Sequence, residues 1–193
     1  MNTKRKIAYQ GEPGANSHIA CLQVHPEMEP LACRTFEDVF SAVHAGRAEL
    51  AMIPVENTVA GRVADIHHLI PISNLFIVGE HFLPIHHQLM APEGATLETI
   101  RTVHSHVHAL GQCRELIREL GVEGVVAGDT AGAAREVAER GDPTEAAIAS
   151  ELAAEIYGLK ILRRDVEDEA HNTTRFLIMA REPLDVRPED GPL

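Results

Sequence analysis

Short apolar runs alternate with amphipathic stretches along the whole chain, and turn residues punctuate each change. Apolar runs at 6–10, 31–33, 50–54, 75–78, 101–104, 122–127, 146–149, 159–162 and 175–180 predict strands. Helical spacing predicts helices over 15–24, 36–44, 61–69, 109–120 and 130–140, and another that ends at 157. End signals agree with these bounds. Thr35 with Asp38 three residues on resembles a capping box, Gly46 and Gly121 close helices, and Asp142-Pro143 breaks one. The apolar stretch 82–90, interrupted by Pro84, marks a crossing between two lobes. The alternation predicts an α/β protein with mainly parallel sheet and a cleft between two small lobes. The first lobe is expected from 1–80 plus 171–193, and the second from 81–170. The Pro-rich, charged end at 181–193 is expected to fray.

Composition narrows the partners. The chain has 193 residues, 45% hydrophobic and 24% charged, enough to bury a core in one domain or two lobes. Only 4% are aromatic and none is Trp, which favours layers packed through Ala, Val, Leu and Ile. A net charge of −12 repels phosphate backbones and argues against a nucleic-acid partner. An anionic substrate would need a local positive field from Arg side chains and helix N-termini. Cys21, Cys33 and Cys113 are odd in number without a Cys-x-x-Cys, so no disulfide framework is expected and the cytoplasm is the default setting. There is no apolar signal segment and no apolar run long enough to span a membrane.

Four polar constellations could carry chemistry. Gly11-Glu12-Pro13-Gly14-Ala15-Asn16-Ser17 joins a strand to a helix, as an anion site or as a plain βα turn; it lacks the pattern of a nucleotide loop. Pro54-Val55-Glu56-Asn57-Thr58 puts an acid, an amide and a hydroxyl at a strand's C-terminal end, where α/β sheets bind ligands. The alternative there is a solvated loop with Thr58 as a helix cap. In His104-Ser105-His106-Val107-His108, a helix beginning near Val107 breaks the alternation that a three-His metal site needs. Ser105 with Gln112 is the better pair of site candidates, with Ser105 as an N-cap the plainer role. Finally, Asn172-Thr173-Thr174-Arg175 feeds directly into the last strand, as a capped turn or as a set able to bind a carboxylate and assist a leaving oxygen. His67-His68 and His86-His87 are each expected to have one packed and one exposed ring.

Taken together and in order, these segments resemble the catalytic domain of the prephenate dehydratase family. The resemblance runs from Ile7 to about Met179, through Tyr9-Gln10-Gly11, Ile53-Pro54-Val55-Glu56-Asn57-Thr58, Leu83-Pro84-Ile85-His86-His87, His104-Ser105-His106, Asp129-Thr130-Ala131 and Thr174-Arg175-Phe176. It implies a two-lobe fold similar to type II periplasmic binding proteins, with an active-site cleft between the lobes. It implies a cofactor-free, metal-free lyase that turns prephenate into phenylpyruvate with loss of water and carbon dioxide, in phenylalanine biosynthesis, as a homodimer. Thr174 is implied as the essential hydroxyl, with Glu56 and Asn57 in the catalytic set. Arg175 is implied as a carboxylate contact, with Ser105, Gln112, Asn172, Thr58 and Ser17 among the substrate-binding residues. Glu56 is an alternative proton donor. Ala15-Asn16 and Val107-His108 depart from the family's usual residues at those points. No C-terminal phenylalanine-binding ACT domain is expected. Three alternatives stay open: an arogenate dehydratase, a non-catalytic binding protein of similar fold, and a metal protein built on the His-rich segment.

Overall fold

The computed structural model describes residues 5–183. The expected fraying at 181–193 falls mostly outside them. In chain order the strands are β1 (Lys6–Gln10), β2 (Glu29–Cys33), β3 (Leu50–Asn57), β4 (Gly61–Arg62), β5 (Phe76–Pro84), β6 (Gln88–Ala91), β7 (Thr102–His106), β8 (Glu123–Ala127), β9 (Glu145–Ala149), β10 (Lys160–Arg163) and β11 (Thr173–Ala180). The helices are α1 (Asn16–Val24), α2 (Phe36–His44), α3 (Ala64–Leu69), α4 (Val107–Gly111), α5 (Arg114–Leu120), α6 (Thr130–Arg140) and α7 (Glu151–Tyr157).

Two sheets form. The first has the order β2-β1-β3-β11-β5, with β4 folded back on β3; the second has the order β10-β6-β9-β7-β8. This is the α/β, periplasmic-binding-protein-like arrangement that the resemblance implies. Both sheets are mixed, which corrects the expectation of mainly parallel pairing. β1 runs parallel to β2 and β3, and β7 runs parallel to β8 and β9. β11 lies antiparallel between β3 and β5, and β6 lies antiparallel to β9. The reversed strands, β6 and β11, are those that follow the two crossings between sheets, at 85–87 and 164–172. We propose one lobe around each sheet, the first completed by β11. β5 stays in the first sheet as far as Pro84.

Buried side chains cover both faces of each sheet. Ile53, Val55 and Met179 pack with α2 on one face of the first sheet, and Tyr9, Met52 and Phe176 pack with α1 on the other. Leu89, Val103 and Ile148 pack with α4 and α5 in the second lobe, with Met90, Ala147 and α6 on the opposite face. Most predicted ends hold. Thr35 Oγ1 accepts the Asp38 N–H at 3.1 Å, and Asp129 Oδ1 accepts that of Gly132 at 2.7 Å.

Three elements differ from expectation, and each difference shapes the cleft. β3 runs past Pro54 to Asn57, because Thr58 extends its pairing with β11: its N–H donates to the Thr173 carbonyl at 2.9 Å. The segment 61–69 begins as a hairpin strand, because Asn57 Oδ1 accepts the N–H groups of Val59 and Ala60 and turns the chain there. The helix expected over 109–120 splits at Gln112-Cys113. Asp168, from the second crossing, accepts the N–H groups of Arg114 and Glu115 and so caps α5 as a separate helix.

The first loop serves the contact between lobes. Gly14, at φ +91, lies so close to α7 that a Cβ would sit 2.7 Å from the Ala153 Cα. Ser150 Oγ donates to the Gly14 carbonyl, and the Tyr157 hydroxyl donates to that of Pro13 at 2.8 Å.

Candidate active site

A cavity of about 140 Å³ opens between the lobes, and both contribute to it: Asn57, Asn172 and Thr174 from one side, His87, Gln112 and Thr130 from the other. Thr174 and Asn57 face it together because they are directly paired across β11 and β3. That pairing depends on an irregularity. Arg175 pairs with Glu56 but Phe176 pairs with Pro54, so Val55 is the extra residue of a bulge. Pro54 is tolerated there because it has no N–H to contribute to a regular ladder. Simple alternation would put Asn57 on the α2 face with Ile53; the bulge turns it into the cleft.

The amides of the cleft form a chain whose direction is fixed by backbone donors. Asn57 Oδ1 accepts from Val59 and Ala60, so its NH₂ must face the other way. One of those hydrogens goes to Asn172 Oδ1 at 2.7 Å and the other to Thr174 Oγ1 at 2.9 Å. Asn172 Nδ2 then donates to Gln112 Oε1 at 2.9 Å, and His87 Nε2 lies 2.9 Å from the same oxygen. Because that oxygen is an acceptor, His87 carries its proton on Nε2. Burial holds His87 below the usual imidazole range, so the ring is neutral near pH 7. Two consequences matter chemically. The Thr174 oxygen already accepts a bond, which leaves its O–H free to point into the cavity. The Gln112 NH₂ has no protein partner among the described residues, so it is a second free donor.

The other expected site residues lie elsewhere. Arg175 points to the opposite face of the sheet from Thr174. Its guanidinium pairs with Glu80 at 2.7 Å and sits 5.8 Å from the centre of the Phe82 ring. Glu56 is exposed on that same face, and both line a separate apolar groove of about 840 Å³. Ser105 is fully buried and donates to the Ile148 carbonyl at 2.6 Å, just beyond the last β7–β9 pair. It therefore holds the two strands together rather than capping α4. Thr58 Oγ1 donates to the His171 carbonyl and accepts the Thr173 N–H, which clamps the start of β11 beside Thr174. Ser17 is buried in the first turn of α1. The backbone shift at Val55 and the alternation along β11 together separate Glu56 and Arg175 from the cavity.

Five lining residues are not among the catalytic or substrate-binding residues that the resemblance implies: Asn16 of the first polar loop, Thr130, His87, and His106 and His108 of the three-His segment. Asn16 and His108 belong to the two segments, Ala15-Asn16 and Val107-His108, that depart from the pattern the resemblance implies, and both line the cleft. Among the described residues, no Arg or Lys lines this cavity. Positive potential there comes from α1, whose N-cap Ala15 offers no capping side chain, while the His106 and His108 rings, 5.1 Å apart, add polar ring nitrogens. The three-His face does not form, because β7 ends at His106 and α4 starts at Val107. His86 is exposed and His87 buried as expected, but His67 and His68 are both exposed. No thiol competes as a nucleophile: all three cysteines are buried, and burial pushes Cys21 up to about 12 and raises Cys33 and Cys113.

Burial lowers His18, His87, His104 and His106 alike. In the unfolded chain these rings titrate near about 6.5. Below that pH the unfolded state takes up protons that the folded state refuses, so stability is greatest above about 6.5 and falls with acidification toward the lowered folded values. Thermal melts should show the midpoint dropping between pH 7 and pH 5.5, with a shallower drop in His87→Gln. A midpoint that rises over that range would contradict the burial of these rings.

Comparison with known proteins agrees with this geometry. The family model described as prephenate dehydratase matches residues 7–184. A bifunctional N-acyl-homoserine lactone acylase/prephenate dehydratase of Komagataeibacter europaeus is 53% identical over 192 residues, covering 100% of this chain and 68% of its own length. Arogenate dehydratase/prephenate dehydratase 2 of Arabidopsis thaliana, a chloroplastic protein, is 41% identical over 93% of this chain, which spans 47% of that relative. The crystal structure of prephenate dehydratase from Arthrobacter aurescens, solved with L-Phe, superposes with a TM-score of 0.86 at 30% identity, over 94% of this chain and 63% of that one. With a shared fold and a family match over nearly its full length, the chain belongs to the prephenate dehydratase family.

Proposed function

We propose that this protein converts prephenate to phenylpyruvate, in a reducing cytoplasmic setting and without a cofactor. The observation that carries the reading is the oriented hydroxyl: Asn57 donates to Thr174 Oγ1, so the Thr174 proton is available to a group in the cleft. In prephenate, the ring carboxylate leaves as carbon dioxide and its C–C electron pair enters the ring. The ring C–O bond breaks, and its electron pair departs with the oxygen. Aromatisation supplies the driving force. The departing oxygen becomes basic as it leaves, and a donated hydrogen bond or proton from Thr174, replaced from solvent, completes water. Assistance of this kind contributes on the order of 10²–10⁴ in rate.

The substrate is a dianion. The uncapped N-terminus of α1, the His106–His108 pair and the Gln112 NH₂ are the groups proposed to hold its carboxylates. The cavity's 140 Å³ is below the roughly 300–1,000 Å³ of ordinary ligand sites, so a ring-bearing substrate enters when the lobes part about the two crossings. Glu56 and Arg175 act outside this cavity. Arg175→Leu should therefore change KM by less than about threefold and cost at most about 1 kcal/mol, as for an exposed ion pair. A large rise in KM would return Arg175 to the substrate.

A second activity has specific support, since the Komagataeibacter relative is named an N-acyl-homoserine lactone acylase as well. Among the described residues no base is hydrogen-bonded to Thr174, so an acyl-enzyme on that hydroxyl is disfavoured. Incubation with prephenate, arogenate and an N-acyl-homoserine lactone, followed by product identification, separates these activities. Phenylpyruvate from prephenate is the expected product, and its absence would overturn the proposal. A homodimer is the proposed assembly, with exposed Phe76, Ile77 and Phe82 on edge strand β5 as its apolar surface, and light scattering tests it.

A further inference from the structure

We infer that the two crossings between the lobes form a divalent-cation site, made by His86 from the first and Asp165 and Glu167 from the second. Their ligand atoms all lie within 4.8 Å of one another. His86 Nδ1 is 3.0 Å from Glu167 Oε1 and 3.4 Å from Asp165 Oδ1. Ligands on one tetrahedral zinc ion, with bonds of roughly 2.0–2.2 Å, stand roughly 3.3–3.6 Å apart, so little movement is needed to admit an ion. A single imidazole N–H satisfies one of these carboxylates well but not both; a cation in its place would serve both.

The three groups are held in position. Glu167 has a side chain only 7% exposed, and its Oε2 accepts the His87 N–H at 2.9 Å. That leaves Oε1 facing His86. Asp165 adopts φ +49, a left-handed conformation uncommon for a non-glycine residue, and Gln88 brackets it. Gln88 Oε1 accepts the Asp165 N–H at 3.1 Å, and Gln88 Nε2 donates to Asp165 Oδ1 at 3.3 Å. His86 and Asp165 also line a groove of about 530 Å³ behind the crossing, which has room for the water molecules that complete a three-ligand site. Along the crossing, His86 and Gln88 face this groove whereas Ile85 and His87 face the catalytic cavity. The ligand set, one imidazole and two carboxylates, suits Zn²⁺ or Mn²⁺.

A bound ion ties the crossings together where the lobes must flex. It also fixes Glu167, whose other oxygen holds the backbone N–H of the residue that positions Gln112. The site does not depend on which reaction the cleft performs.

Titration calorimetry of the full chain with Zn²⁺ and with Mn²⁺ tests the inference, using His86→Ala and Asp165→Asn beside the wild type. Asn suits the left-handed backbone at 165, so that variant removes charge without strain. The expected result is one ion per chain, with affinity reduced at least about tenfold in both variants. Absence of binding of either ion, or equal binding by wild type and variants, would overturn it.

Discussion

Thr174→Ala is expected to lower turnover of prephenate by at least about a hundredfold, with KM changed less than about threefold. The asymmetry follows from when the hydroxyl acts. In the bound substrate the ring oxygen is an ordinary hydroxyl with water-like acidity, and a further hydrogen bond to it adds little. As the C–O bond lengthens, charge gathers on that oxygen, and a donor already aimed at it gains strength without reorganising. A preorganised donor of this kind contributes roughly 3–4 kcal/mol to the transition state. Because the interaction grows only during the reaction, its loss appears in kcat. Steady-state kinetics with purified variant decides the matter, and near-normal turnover would remove Thr174 from the chemistry.

Asn57→Asp should be nearly as damaging, with little loss of folding. The substitution changes one NH₂ to oxygen. The oxygen that accepts from Val59 and Ala60 is kept, so the hairpin turn survives. The other oxygen now faces Thr174 Oγ1 at about the former amide distance of 2.9 Å, and Asn172, whose Oδ1 met the same NH₂ at 2.7 Å, must turn its amide. Two acceptors cannot share that contact without a proton, so the Thr174 hydroxyl turns to donate to the introduced carboxylate and is lost to the cleft. The new negative charge also opposes a dianionic substrate. The expected outcome is a fall in kcat of about a hundredfold and a raised KM, with a circular dichroism spectrum like that of the wild type. Retained kcat in a folded Asn57→Asp protein would show that the direction of the amide chain is immaterial.

Much of the architecture is legible in the chain because it depends on local signals. Apolar runs of strand length and amphipathic stretches mark the elements, while Thr35, Asp129, Gly46 and Gly121 mark their ends. Strand direction is harder to read, since β6 and β11 reverse their sheets only as a result of the crossings. Long-range capping is also hidden: nothing local predicts that Asp168 divides a helix at Gln112.

The cleft is partly legible. Asn57, Gln112, Asn172 and Thr174 were candidates from residue type and position, and they meet in one hydrogen-bonded chain. The adjacent pair Thr174-Arg175 carries a warning in its own spacing, because neighbours on a strand face opposite ways. Applied strictly, that rule separates Arg175 from Thr174. It fails for β3, where the bulge at Val55 alters the count and turns Asn57 toward the cavity. Ser105 shows a complementary ambiguity: a polar residue at a strand end can be a strut as well as a ligand, and here its hydroxyl is bonded to the Ile148 carbonyl. His87 could have been found by extending alternation from Ile85 through the crossing, although its role depends on Gln112, 25 residues away in sequence.

The proposed reaction needs a hydroxyl, rather than a shape, at position 174. Turnover numbers for T174S and T174V at saturating prephenate test this most directly, since the first keeps the hydroxyl and the second keeps the branched form. T174S is expected within about tenfold of wild type and T174V at least about a hundredfold below it. Equal kcat values for the two variants would contradict it.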